Sequence, residues 1–123
     1  MEEWYSIGMS NKVQSKTDIL QGTLDLMVLR TLESLGSLHG YAIAARLEQV
    51  SAGALQLNMG TLYPALMRLE QRDLICANWG TTDTNRRARF YTLTAVGRRQ
   101  LAKEKQEWNQ MAGIIDTLLR SEN

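Results

Sequence analysis

The sequence predicts a mainly α domain with one small β-hairpin, in the order helix, helix, helix, hairpin, long helix. Apolar residues recur at helical spacing in separate stretches, and a polar, arginine-rich segment sits between two strand-forming runs. Along the C-terminal stretch, Leu101, Trp108 and Ile115 recur every seven residues. The first helix opens at Thr17 or Asp18, either of which can cap it. It carries Leu20, Leu24, Met27, Val28, Leu32 and Leu35 on one face and stops at Gly36. Residues 36–40 read as a turn, and a second helix follows over 41–50 on Ile43, Leu47 and Val50. Leu55-Gln56-Leu57 alternates enough for a very short strand. The third helix spans about 58–73, with Asn58 as cap and Leu62, Leu66 and Leu69 as its buried stripe. Pro64 costs a backbone bond if this helix starts at Asn58, and nothing if regular helix starts only at Thr61. Segments 74–79 and 88–93 are the strands, joined by the basic loop 80–87. Thr94 caps the last helix, which runs to about Leu119.

The chain has 123 residues, 44% of them hydrophobic and 22% charged, which fits one domain with one appended element. Residues 1–16 form an arm or leader, 17–93 the core domain and 94–123 the appended helix. A lone cysteine, Cys76, excludes an intrachain disulfide, and its apolar neighbours predict a small buried side chain. With one histidine and no Cys–His cluster, no metal site and no cofactor site is legible. No apolar run is long enough to span a membrane, and residues 1–10 lack a signal-peptide core, so a cytoplasmic location is the expectation. No catalytic residues can be assigned. His39 stands in a turn with no nucleophile patterned near it, and paired carboxylates and phosphate-binding glycine loops are missing from the sequence. An enzyme is not expected.

Three helices followed by a hairpin is the order of a winged helix-turn-helix, whose third helix can enter a DNA major groove. Around a wheel of about 100° per residue, the leucine stripe faces one way, and Tyr63, Pro64, Met67, Arg68 and Gln71 face the other. Arg68 suits a guanine edge and Gln71 an adenine. Asn58, Thr61 and Tyr63 stand near the helix N-terminus, where N–H groups and hydroxyls suit phosphate. The formal net charge is only +1, yet residues 84–99 hold five arginines and no acid. Arg86 and Arg87 lie at the hairpin tip with Arg89 just behind, placed for phosphate or a narrow minor groove. A polar helix face and a basic loop also occur on surfaces that bind nothing. The two together favour DNA.

The last helix needs a partner for Leu101, Trp108, Met111, Ile115, Leu118 and Leu119, with Ala112 widening the stripe. Seven-residue spacing favours another helix, and a homodimer would present two reading heads to a two-fold DNA site. The alternative is a monomer with this helix folded back on the first. Trp108 is a core residue or lines a ligand pocket between subunits.

Several short motifs stand in a specific order: Leu20-Gln21-Gly22-Thr23-Leu24, His39-Gly40-Tyr41-Ala42-Ile43, Gly60-Thr61-Leu62-Tyr63-Pro64-Ala65-Leu66 with Arg68-Leu69-Glu70, and Arg86-Arg87-Ala88-Arg89-Phe90-Tyr91 leading to Leu93-Thr94 and Gly97. In order and spacing they resemble the PadR family of transcriptional regulators over residues 18–101. The resemblance implies a winged helix with a C-terminal dimerisation helix, acting as a repressor on a near-palindromic operator. It implies Thr61, Tyr63, Pro64 and Arg68 at the groove, and Arg86 and Arg87 on the backbone. It also implies release by a small, often aromatic, effector near the dimer interface. Two features depart from the family. Asn58-Met59 stands where relatives often have serine-proline, and the single C-terminal helix leaves no larger C-terminal domain in which to build a pocket. The competing readings are a winged-helix protein-interaction module that does not bind DNA, and a sensor of flat hydrophobic compounds.

Overall fold

The computed structural model describes residues 17–121, with side chains from residue 22 onward. The expectations for residues 1–16, and for the capping side chain and the Leu20 side chain of the first helix, lie outside what is described. Four helices and a three-stranded antiparallel sheet follow in the order α1 (Thr17–Leu35), β1 (Leu38–His39), α2 (Gly40–Val50), α3 (Met59–Gln71), β2 (Ile75–Thr81), β3 (Arg87–Leu93) and α4 (Ala95–Arg120). This is the winged-helix architecture that the sequence predicts.

The core is one cluster. Leu24, Val28, Leu29 and Leu32 of α1 meet Ile43 and Leu47 of α2, Leu62, Ala65, Leu66 and Leu69 of α3, Leu74 and Ile75, Tyr91 and Leu93, and Leu101 of α4. Burying these side chains is the main stabilising term. Three positions differ from expectation, two from the core set and one from the dimerisation set. Leu35 and Val50, each the last residue of its helix, are exposed. Leu101 is fully buried in the chain's own core and therefore leaves the set offered to a partner.

The sheet order is β1-β3-β2, with β3 in the middle. β1 falls where the sequence reads as a turn. It is a strand only because Leu38 and His39 pair with Tyr91 and Phe90. His39 then caps α2, its Nδ1 accepting from the Ala42 N–H at 3.4 Å. Leu55-Gln56-Leu57 forms no strand. It has no strand to pair with, and Leu57 packs on the core instead. The two hairpin strands are longer than expected, and the loop shrinks to residues 82–86. Cys76 is exposed rather than buried. Strand alternation turns Ile75 inward and Cys76 out.

The junction into α4 fixes the hairpin against the helices. The Thr94 N–H donates to the Leu74 carbonyl at 3.1 Å. The Thr94 hydroxyl donates to the Asp73 carbonyl at 2.6 Å and accepts from the Gly97 N–H at 2.9 Å. Gly97 is buried against this junction, and a Cβ in its place would overlap the Leu74 carbonyl. Gly97→Ala is expected to cost about 2–3 kcal/mol by overpacking against backbone, read as a lower urea midpoint with unchanged m-value.

Candidate nucleic-acid interface

Helix α3 begins where Asn58 caps it, its side chain accepting from the Thr61 N–H at 2.9 Å. Pro64 therefore lies inside the helix. That resolves the alternative left by the sequence in favour of the early start, at the cost of one backbone bond. The missing bond faces outward, since Pro64 is exposed.

The exposed face of α3 carries Tyr63, Pro64, Met67 and Gln71, with Asn58 exposed at its start and Thr61 half-buried. Met67 is 52% exposed, a large apolar side chain on a helix that otherwise buries its leucines. Arg68 departs from its expected place. Its guanidinium pairs with Asp25 of α1 at 2.9 Å, and its buried Nε has no hydrogen-bond partner among the described residues. On the wheel Arg68 stands only about 60° from the buried Ala65. It belongs to the flank that meets α1, not to the centre of the exposed face.

The opposite flank of α3 meets the hairpin. Arg89 of β3 pairs with Glu70 at 2.9 Å and lies 5.9 Å from the Tyr91 ring centre. Arg89, also a candidate for DNA, here ties the wing to the helix through that pair. Tyr91 is buried with the Tyr63 phenol beside it. Burial, reinforced by Tyr63, pushes the Tyr91 hydroxyl up from 10.0 to about 12. The fold thus favours the neutral phenol. Its contribution is fully present below pH 10, and is lost as the pH rises towards about 12. Tyr91→Phe is expected to remove that alkaline fall, measured by urea unfolding on either side of this window.

Beyond Arg89 the hairpin extends past α3 to a closed tip. The Thr82 N–H donates to the Arg86 carbonyl at 2.8 Å, and the Arg86 N–H donates to the Thr82 hydroxyl at 3.1 Å. Asn85 takes the left-handed conformation there, with φ of 65°. Arg86 and Arg87 are exposed on this ordered tip. Among the described residues, Arg68 and Arg89 each hold a carboxylate, whereas Arg86 and Arg87 have none within ion-pair distance. Two side chains that the sequence reading left unassigned complete the surface. Tyr41 is exposed at the start of α2 and faces the tip across a cavity of about 640 Å³ that His39 also lines. Trp79 of β2 is exposed, with Arg87 stacked over its ring. Strand parity would have placed Trp79 on the same face as Ile75 and Ala77, once the register was known.

A second cavity, of about 540 Å³, opens on the other side of the domain between α1, α2 and α4. Leu26, Met27, Leu47, Val50 and Trp108 line it, with Arg30, Arg46 and Lys105 around them. Arg30 and Lys105 share Glu33, at 2.9 and 3.5 Å, while Arg46 bonds the Gln49 amide at 2.9 Å. Past Leu101, α4 leaves the core and exposes Trp108, Met111, Ile115, Leu118 and Leu119 together with Ile114. Ile114 joins the apolar face although the seven-residue reading passed over it. Among the described residues there is no cluster of metal-ligating side chains, and no helix is long and apolar enough to cross a membrane.

The chain is similar in sequence and in fold to other proteins. An uncharacterised protein from Lysinibacillus sphaericus is 28% identical over 104 residues, covering 85% of this chain and 94% of its own length. A PadR-like transcriptional regulator from Bacillus cereus superposes with a TM-score of 0.75 at 25% identity, covering 85% of this chain and 99% of that one. A PadR family regulator from Eggerthella lenta gives a TM-score of 0.72 at 26% identity, covering 89% and 94%. Residues 28–103, from the middle of α1 into α4, match the transcriptional regulator PadR-like family, and the chain belongs to it.

Proposed function

We propose that the protein is a dimeric repressor that binds a near-palindromic operator, and that a small aromatic compound releases it. The observation that carries the DNA reading is the division among the arginines beside α3. Arg68 and Arg89 are neutralised by Asp25 and Glu70, whereas Arg86 and Arg87 stand charged on a rigid tip. An unneutralised pair at a hairpin tip repels itself unless an anion is near, and a phosphate backbone supplies one. Asn58, Thr61, Tyr63, Pro64, Met67 and Gln71 then meet the major groove, with Gln71 able to read adenine and Met67 suited to a thymine methyl. Arg68 and Arg89 act behind that surface, holding α3 to α1 and the wing to α3.

The dimer reading rests on α4. Trp108 and Ile115 form one seven-residue series, Met111 and Leu118 another, and all four are exposed. Two such helices packed side by side bury both series. The effector reading rests on the cavity that Trp108 helps to line, with basic groups around an apolar floor. It lies at the root of the proposed dimer helix, where an occupant can change the spacing of the two reading heads.

The test is binding of the purified protein to its own upstream intergenic DNA and to an unrelated duplex of equal length, across a salt series. Preference for its own promoter with a steep salt slope is expected. Tight, salt-insensitive binding to another protein, with no affinity for either duplex, would replace this reading with a protein-interaction module.

A further inference from the structure

On the face of the hairpin turned towards α3, side chains alternate in a row. Tyr91, Arg89 and Arg87 come from β3, and Trp79 comes from β2, directly opposite Arg89 and diagonal to Arg87. Each arginine lies near an aromatic ring. The Arg89 guanidinium carbon is 5.9 Å from the Tyr91 ring centre, and that of Arg87 is 4.9 Å from the Trp79 ring centre. They differ in what else they hold. Arg89 gives its charge to Glu70 at 2.9 Å. Arg87 stands two residues nearer the tip and lies over the indole, with no carboxylate within ion-pair distance among the described residues. Trp79 is 61% exposed, so most of its surface is not used to stabilise the fold.

An aromatic face holds a guanidinium by its quadrupole and leaves both the charge and the N–H edges available. A carboxylate at the same place would hold it as well but would cancel the charge. A long side chain on a hairpin tip otherwise samples many rotamers, and ordering it on a ligand costs affinity. We propose that Trp79 is a positioning residue for DNA binding: it pre-orders the Arg87 guanidinium, still charged, towards the phosphate backbone. The inference rests on the DNA reading above.

The experiment is a double-mutant cycle on the full chain, with Trp79→Leu, Arg87→Ala and both together, plus Trp79→Phe, each titrated against the upstream duplex over a salt series. Thermal melting of each variant reports the hairpin separately. Trp79→Leu is expected to weaken binding about threefold, the size of an exposed cation–π contact, while Trp79→Phe stays near the parent. Arg87→Ala is expected to weaken binding further and to lower the salt slope by about one. On the Arg87→Ala background, Trp79→Leu then costs nothing more. A loss from Trp79→Leu that is equal in both backgrounds, or that tracks the melting temperature, overturns the proposal, as does no loss at all. A parent protein that binds neither duplex overturns the DNA reading first, and is told apart from these outcomes because no variant need be compared.

Discussion

If α4 pairs as proposed, Ile115→Lys is expected to leave folded monomers and to lower operator affinity by at least about tenfold. Ile115 is exposed in the single chain, and so are Trp108, Met111, Ile114, Leu118 and Leu119 around it. The core ends at Leu101, so the change leaves the winged domain intact and the far-ultraviolet circular dichroism unchanged. In a packed pair of α4 helices, each lysine would enter an apolar seam beside its symmetry mate. An unpaired charge there costs several kcal/mol, and each 1.4 kcal/mol is a factor of ten in association. Operator binding falls with it, because a monomer engages one half-site and loses the advantage of two linked contacts. Light scattering after gel filtration reads the mass directly. A parent protein that is already monomeric, or a variant that stays dimeric, removes α4 from the interface.

The second large effect is expected from Arg86→Ala together with Arg87→Ala. Both side chains are exposed on the ordered tip, and neither has a carboxylate within ion-pair distance among the described residues. Their loss should leave stability unchanged or slightly improved, since two like charges are removed. Binding should weaken for every duplex by a similar factor, and the log–log salt slope should become shallower by roughly two, one for each phosphate contact. Substitutions at Met67 or Gln71 should instead relax the preference between duplexes at unchanged slope, because base edges carry sequence and phosphates do not. A double variant that loses preference while keeping its slope would reverse the roles assigned to wing and helix.

The order of elements was legible because helices announce themselves by period and caps. Leu62, Leu66 and Leu69 place α3, Asn58 starts it and Thr94 starts α4. What escaped depends on contacts distant in sequence. A two-residue strand has no period, so β1 is visible only through its pairing with Tyr91 and Phe90. The alternation at 55–57 imitates a strand, but Leu57 finds the core instead of a neighbouring strand. The apolar neighbours of Cys76 suggest burial, but the parity set by buried Ile75 turns it outward. The candidate site divides in the same way. Met67, Gln71, Arg86 and Arg87 are exposed where their local patterns put them. Arg68 and Arg89 satisfy the same local patterns, yet partners 43 and 19 residues away claim their charges. Membership of the PadR-like family followed from motif order. The separation of arginines paired with carboxylates from those without one among the described residues needed the fold.

The most direct test of a two-fold reader is a hydroxyl-radical footprint of the protein on its upstream DNA. Two-fold packing through α4 places two α3 helices in successive major grooves on one face of the duplex, about one helical turn apart. Two protected patches of equal strength, related by symmetry and flanked by protection from the wings, are the predicted result. A single unsymmetrical patch, or no protection where the duplex is saturated, would contradict the account.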